Sequence, residues 1–499
     1  MSGDTGKPNF KGRRLFLGAA AALPATSVLG AKPPHGQPSV PPSAKSVLDT
    51  KHSACDAQRG KHKFDADVIV IGAGFAGVTA ARELGVEGNK VILLEASTRL
   101  GGRTYSGHFA GQNVEYGGAW VHWAEPHVWA EVERYGHGVE EEQIANVDRA
   151  LVMLPDGRVK ELTTEQLDAY DKDGMDKFTA GARELFPRPY EPLTNPKVRE
   201  LENISAADHI AKLGLNEVQT AILNAEMTLY GAGPISEYSY LAFVKCFSCM
   251  SWDYYTFNDA DRRYRIGKGG TLGLLKSMIQ HSKAEVRFSS AVNQVRQERD
   301  HVIVTTEDGR KVTARAVVVT VPTNTYKRIQ FIPALSPAKR KYIDQGEMSN
   351  GAKVFVQLEK NYGNTFAFCA DPNPLTVVQT IKNSDEVGTI LSITPGRRKL
   401  IDINDADEVE KQVQRLFPNA KLVGLSGYDW ANDPYSQQAW GAYRVGQMSL
   451  AQELAVPEGR VFLAGASTAG GLNEYIDGAV ESGLRAGRQV RELFSRSPA

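Results

Sequence analysis

The sequence is short of the residues that staple a fold or give it a strong charge. It has four cysteines, Cys55, Cys246, Cys249 and Cys369, in 499 residues, so a fold held by disulfides is excluded. Cys246 and Cys249 have the C-x-x-C spacing, but no second pair of ligands stands near them, which argues against zinc. A redox pair stays open beside the plainer reading, two small residues on an amphipathic helix near residues 238–250. Net charge is absent too. The 58 Lys+Arg balance 58 Asp+Glu, which excludes a basic face for nucleic acid and an acidic solvating chain. The ten histidines are scattered, with no metal-ligand cluster and no Ser-His-Asp set, so any chemistry must come from elsewhere. The Ala-rich run from Leu15 to Leu29 is shorter than the ~20 apolar residues of a spanning helix, and no other stretch is apolar enough.

What is present begins with punctuation at the N-terminus. Arg13-Arg14-Leu15-Phe16-Leu17 is a twin-arginine signature, followed by that apolar run and by the small residues Gly30 and Ala31. Residues 1–31 are therefore expected to be a cleaved twin-arginine signal, carrying the folded protein to the periplasm, rather than a short membrane anchor. Residues 32–63, with five prolines among Ser, Lys and His, read as a disordered linker. The rest is too long for one simple core, so two domains are expected, interleaved in sequence.

The first chemical motif follows at once. Asp67-Val68-Ile69-Val70-Ile71 is a β-branched run that predicts a buried parallel strand. Gly72-Ala73-Gly74-Phe75-Ala76-Gly77 comes next, then a helical segment from Val78 to Leu84, then a second strand Val91–Leu94 ending in Glu95. Gly72 permits the tight turn, Gly74 lets a pyrophosphate approach the backbone, and Gly77 lets the helix pack on the strand. The helix N-terminus offers unpaired N–H groups to phosphate. Glu95 can hydrogen-bond both ribose hydroxyls and would repel a 2′-phosphate. The context predicts a dinucleotide site in an α/β fold.

Past Glu95 the chain reads Ala96-Ser97-Thr98-Arg99-Leu100-Gly101-Gly102-Arg103, and further on Glu115-Tyr116-Gly117-Gly118-Ala119-Trp120. These elements resemble the flavin-containing, monoamine-oxidase-like amine oxidases, over about residues 64–495. The resemblance implies a Rossmann-like FAD domain (64–148, 265–335, 441–496) interleaved with a smaller substrate domain (149–264, 336–440). It implies FAD held by Gly72, Gly74, Ala76, Gly77, Glu95 and Ala96 at the adenosine end. Gly102 and Arg103 would lie at the pyrophosphate, with Arg99 and Arg103 neutralising it. Gly117, Gly118, Ala119, Trp120, Trp430, Gly465, Ala466 and Ile476 would lie at the flavin, and Val292 would meet the adenine by its backbone. The helix expected from Asp477 to Phe494 would aim its N-terminus at the pyrimidine end of the ring. One departure stands out: relatives often carry Glu where this chain has Ser467, which puts a cofactor hydrogen bond in doubt. No cysteine stands in the segment after Gly465, so non-covalent FAD is expected.

The same resemblance assigns the chemistry. Lys353, within an otherwise apolar strand, would hold a water at flavin N5; strand alternation also permits an outward-facing lysine on an edge strand. Trp440 and Tyr475 would flank the amine, excluding water and aiming its α-C–H at N5. Tyr230, Trp252, Phe366 and Phe368 are the candidates for the pocket wall. No arginine stands out as a carboxylate clamp, which disfavours an amino-acid substrate. The reaction implied is hydride transfer from an amine α-carbon, giving an iminium that water hydrolyses. Within the family, Gly117–Trp123, Pro126–Glu131, Phe186–Pro189 and Asp477–Gly487 are similar to the bacterial nicotine oxidoreductases and pseudooxynicotine amine oxidases. That similarity implies pseudooxynicotine, releasing methylamine and an aldehyde, or else nicotine or another amine. The electron acceptor would be oxygen or a periplasmic cytochrome, and a homodimer is possible. Two rivals remain: a carotenoid-type desaturase, which should prefer a long apolar tunnel, and a flavin-binding protein without catalysis.

Overall fold

The structure is a computed structural model that describes residues 63–141, 147–473 and 475–496. The twin-arginine segment, Cys55 and all of the expected linker but Lys63 lie outside the described residues.

An eight-stranded sheet forms around Ala66–Ile71 and Lys311–Val319, which pair in parallel. Val91–Leu94 and then Glu285–Arg287 extend it in parallel on one side. On the other side Lys311–Val319 has two partners. Its first half pairs antiparallel with Val302–Thr306, and its last residues pair in parallel with Val461–Leu463. The β-branched runs are continuous because both faces of the sheet are covered. Ile69, Ile71, Ile92, Leu94, Val317 and Val319 point into one core. Their neighbours Val68, Val70, Val91, Leu93, Ala316 and Val318 point into the other. Each buried aliphatic side chain contributes about 1.5–3 kcal/mol on either face.

Helices Phe75–Gly85 and Ile476–Arg496 cross on this sheet. A Cβ on Gly483 would lie 2.5 Å from the Ala76 carbonyl oxygen, so the crossing needs a glycine there. The first helix starts three residues earlier than the sequence pattern predicts, with Gly74 as its N-cap. A seven-stranded sheet is built from residues 149–162 and 353–428, with Lys353–Leu358 interior between Leu422–Tyr428 and Gly388–Thr394.

The helix carrying Cys246 and Cys249 spans Tyr240–Cys249, but it is not amphipathic: Tyr240 to Ser248 are all buried. Apolar residues continue around the whole circumference because protein covers every side. Neither cysteine is in a disulfide among the described residues. Among the described residues no helix is long and apolar enough to cross a membrane.

Candidate active site

A cavity of about 400 Å3 runs from the Gly72 turn to Trp440 and Tyr475. At its first end the strand Ala66–Ile71 leaves the sheet through Gly72, whose φ of +104° favours glycine. Gly74 ends this turn and caps the helix, whose free N–H groups face the cavity. Gly77 does not border the cavity. A Cβ there would sit 1.9 Å from the Gly72 carbonyl oxygen, so its role is to let the turn close. Ala76, Ala96 and Val292 border the cavity as expected. Glu95 sits at its edge with both oxygens already oriented. Ala73 N–H donates to Oε2 at 2.7 Å and Ser97 N–H to Oε1 at 2.8 Å, leaving further lone pairs for ribose hydroxyls.

The two arginines of this loop part company. Arg99 does not serve as a free cation. It donates to the carbonyls of Leu100, Thr104 and Gly102 at 3.3, 3.1 and 2.9 Å, holding the Gly101-Gly102 turn. Arg103 borders the cavity, and its Nη1 is buried with no hydrogen-bond partner. Burial lowers its pKa, opposed by the nearby Glu347 carboxylate. A buried guanidinium that borders a cavity with an unmade hydrogen bond suits an anionic acceptor from a ligand.

Further along, Gly117 and Gly118 thread between this loop and two side chains. A Cβ on Gly117 would meet Arg103 O at 2.0 Å and the Trp430 ring at 3.0 Å; one on Gly118 would meet Ile476 at 3.3 Å. Ala119, Trp120, Trp430, Gly465, Ala466 and Ile476 all border the cavity, and Trp430 Nε1 donates to Tyr116 O at 2.7 Å. Lys353 opens its strand rather than sitting mid-way along it, and the strand is not an edge. Its side chain turns inward, 8 % exposed, with Nζ 3.4 Å from Gly117 O and 4.3 Å from the Trp120 ring centre.

Ser467 turns away from the cavity to a carboxylate, so the doubt about a cofactor hydrogen bond at this position stands. Ser467 Oγ donates at 3.1 Å to Glu347, a buried carboxylate that also accepts from Thr323 and Tyr342 hydroxyls and the Gln438 amide. Carboxylate charge is thus supplied from another segment, behind the cavity wall and beside Arg103.

At the far end Trp440 and Tyr475 both border the cavity, with Tyr230, Phe366 and Phe368. Phe366 and Phe368 contact edge to face at 5.0 Å. Trp252 does not belong to this wall. It sits in a left-handed turn (φ +54°), packed against the core under the Arg183 guanidinium, 4.6 Å from its ring centre. Two acids that sequence reasoning missed do border it, Asp261 and Glu226. Burial pushes the Glu226 carboxyl well above the ordinary carboxylate range, reinforced by neighbouring Asp171. Enclosure also raises Asp261, against the pull of bonds from Tyr230 and Tyr475 and of Arg262. No local motif marks these acids; a signal existed only in the oddity of an acid beside the apolar residues of one buried helix.

A covered, mostly parallel sheet, a glycine-lined cavity at its strand ends and a second sheet closing that cavity define a mixed α/β dinucleotide-binding oxidoreductase. Comparison with known proteins narrows this. The sequence pattern of the flavin containing amine oxidoreductases matches residues 75–491. The chain is 46 % identical to the nicotine dehydrogenase of Pseudomonas putida, over 97 % of this chain and 98 % of that protein. It is 35 % identical to a pseudooxynicotine dehydrogenase of a Pseudomonas species, over 98 % of each. Putrescine oxidase bound to putrescine superposes with a TM-score of 0.73 at 20 % identity, covering 86 % of this chain and 99 % of the other. Cyclohexylamine oxidase from Brevibacterium oxydans superposes with a TM-score of 0.70 at 18 % identity, over 87 % and 100 %. The chain belongs to the flavin-containing amine oxidoreductases. The residues present fit a flavin dinucleotide: Arg103 Nη1 has no hydrogen-bond partner, and the Gly72–Gly74 and Gly101–Gly102 backbones lie open where its pyrophosphate would pass.

Proposed function

We propose that this enzyme oxidises a pyridine-bearing alkylamine, pseudooxynicotine, to an iminium whose hydrolysis releases methylamine and an aldehyde. The observation that carries the reading is the aromatic end of the cavity. Trp440, Tyr475, Phe366 and Phe368 line the same space that reaches the dinucleotide end; the Arg262 guanidinium borders it too, 5.4 Å from the Phe366 ring centre and tied to Asn258. Nicotine is the second reading, favoured by the 46 % identity to a nicotine dehydrogenase.

FAD, held without a covalent bond, supplies a two-electron acceptor at its N5. The chain's own residues do the rest. Glu95 holds the ribose, and Arg103 with the N-terminus of Phe75–Gly85 balances the pyrophosphate. Lys353 keeps a water ordered beside the ring, and Trp440 and Tyr475 confine the amine and exclude bulk water. The division into an FAD domain and an interleaved substrate domain is supported by the separate chain segments that build the two sheets. Export by the twin-arginine route to the periplasm rests on Arg13 and Arg14, and oxygen or a periplasmic cytochrome would then reoxidise the enzyme.

The test is anaerobic mixing of the FAD-loaded enzyme with pseudooxynicotine, nicotine and putrescine, following flavin absorbance. Bleaching fastest with pseudooxynicotine supports the first reading, and fastest with nicotine the second. An oxidised spectrum with every amine overturns both.

A further inference from the structure

Asp261 is not accounted for by the flavin site. It caps the C-terminal end of the helix Tyr254–Ala260 and borders the cavity. Each of its oxygens takes a phenol. Tyr475 OH donates to Oδ1 at 2.8 Å, and Tyr230 OH donates to Oδ2. Tyr230 in turn offers its carbonyl to Trp440 Nε1 at 2.9 Å. One carboxylate therefore holds both phenols of the wall, and the indole is tied to the same residue.

This arrangement commits the Tyr475 proton to Asp261 and leaves the phenol oxygen two lone pairs, one for the Cys246 thiol that hydrogen-bonds to it and one able to accept from the cavity. An alkylammonium is such a donor. Aliphatic amines have pKa values near 10, like a lysine side chain, so they arrive protonated at neutral pH. Oxidation at the α-carbon needs the free amine, whose lone pair must stabilise the developing iminium. One proton has to leave before the C–H step.

We propose that Asp261 is a positioning residue which orients Tyr475 and receives the substrate's ammonium proton through the Tyr475 hydroxyl. An N–H bond breaks as a new O–H bond forms on Tyr475. The original Tyr475 O–H bond breaks as one forms on Asp261 Oδ1. No electrons change hands, and an ammonium and a carboxylate become an amine and a carboxylic acid. Two buried charges are replaced by two neutral groups, which an enclosed cavity favours. The groups around the relay act in both directions. The Arg262 guanidinium favours the carboxylate form of Asp261, and the Asp261 carboxylate in turn disfavours charge on Glu226 and on Glu125. The Cys246 thiol lies against Tyr475, which burial and Asp261 keep un-ionised. The proposal rests on reading Trp440 and Tyr475 as the amine site.

The experiment is rapid-mixing reduction of the full-length, FAD-loaded enzyme by pseudooxynicotine and by nicotine across pH, for the parent, Asp261→Asn, Tyr475→Phe and Tyr230→Phe. Asp261→Asn and Tyr475→Phe should each slow reduction at neutral pH by about ten-fold or more, the scale of a lost proton-transfer partner. Their apparent pKa should rise towards that of the free amine, so that alkaline pH restores most of the rate. Tyr230→Phe leaves the Tyr475 contact in place but removes a bond that holds Asp261 ionised, so it should raise the apparent pKa by less than Tyr475→Phe does. If Asp261→Asn fails to load FAD, Tyr475→Phe decides alone. A flavin-loaded Tyr475→Phe with the parent's pH profile, or with a loss equal at every pH, overturns the relay while leaving amine oxidation intact. A parent flavin that neither amine bleaches overturns the functional reading, and the relay with it.

Discussion

Replacing Arg103 by Met should move folding stability and cofactor affinity in opposite directions. The guanidinium is buried, its Nη1 has no hydrogen-bond partner, and the nearby opposing charge, Glu347, already accepts from five other donors. In the protein stripped of flavin, an orphaned buried donor costs about 1–3 kcal/mol, which a methionine of similar length removes. In the loaded protein the same group makes a charge-assisted bond to a phosphate oxygen, worth roughly 1.5–3 kcal/mol. Arg103→Met should therefore raise the dissociation constant for FAD by about 10- to 150-fold. It should also unfold at higher denaturant than the parent when both are flavin-free. Equilibrium unfolding with and without FAD, alongside FAD titration of the stripped protein, reads both effects. A variant less stable than the parent without flavin, with undiminished FAD affinity, would refute the assignment of Arg103 to the pyrophosphate.

Legibility in the sequence followed the range of the interactions. The turn at Gly72–Gly77 was readable because strand, glycines, helix and Glu95 lie within one local unit, and each residue type answers to one backbone requirement. Even there Arg99 serves a different end from the one expected, and Gly77, which packs the helix on the strand end as expected, does not border the cavity. Gly77 admits the turn's own carbonyl, and Arg99 spends its donors on the loop. Those roles depend on which way a chain bends after it leaves the motif, which spacing does not encode. Lys353 was ambiguous for a related reason: strand alternation gives two faces, and only the presence of strands on both sides settles that it is no edge. Trp252 was an aromatic at a plausible distance along the chain, but it sits in a left-handed turn and packs, partly buried, against the core instead. Asp261 and the Glu347–Ser467 contact escaped because their partners lie 31, 214 and 120 residues away. A carboxylate placed by tertiary packing leaves no periodicity behind.

The remaining predictions test the other parts of the site. Glu95→Ala should weaken FAD binding by roughly 1.5–3 kcal/mol, read by titration; unchanged affinity would show that this carboxylate orders the turn alone. Changing Arg13 and Arg14 together to Lys should hold the protein in the cytoplasm, and periplasmic activity in the double variant would contradict the export signal. His127 is half-buried against the buried Asp477; burial opposes its charge, but the carboxylate raises its pKa. Because the folded value lies above the unfolded ~6.5, this stabilisation is full below that pH and is lost as pH rises through the folded value. His127→Gln should therefore flatten the fall in melting temperature on the alkaline side, and an identical profile would count against the pair. Trp440 separates ring from N–H: the indole lies against Gly351, where a Cβ would come within 2.6 Å of it, and its Nε1 reaches Tyr230 O. Trp440→Phe keeps an aromatic wall and should slow flavin reduction by less than Trp440→Ala. The alanine variant opens the site to water and should lose about ten-fold or more, a barrier increase of at least ~1.4 kcal/mol, with FAD content unchanged. If the alanine variant reduces its flavin at the parent rate, the ring is packing and plays no part in holding the amine.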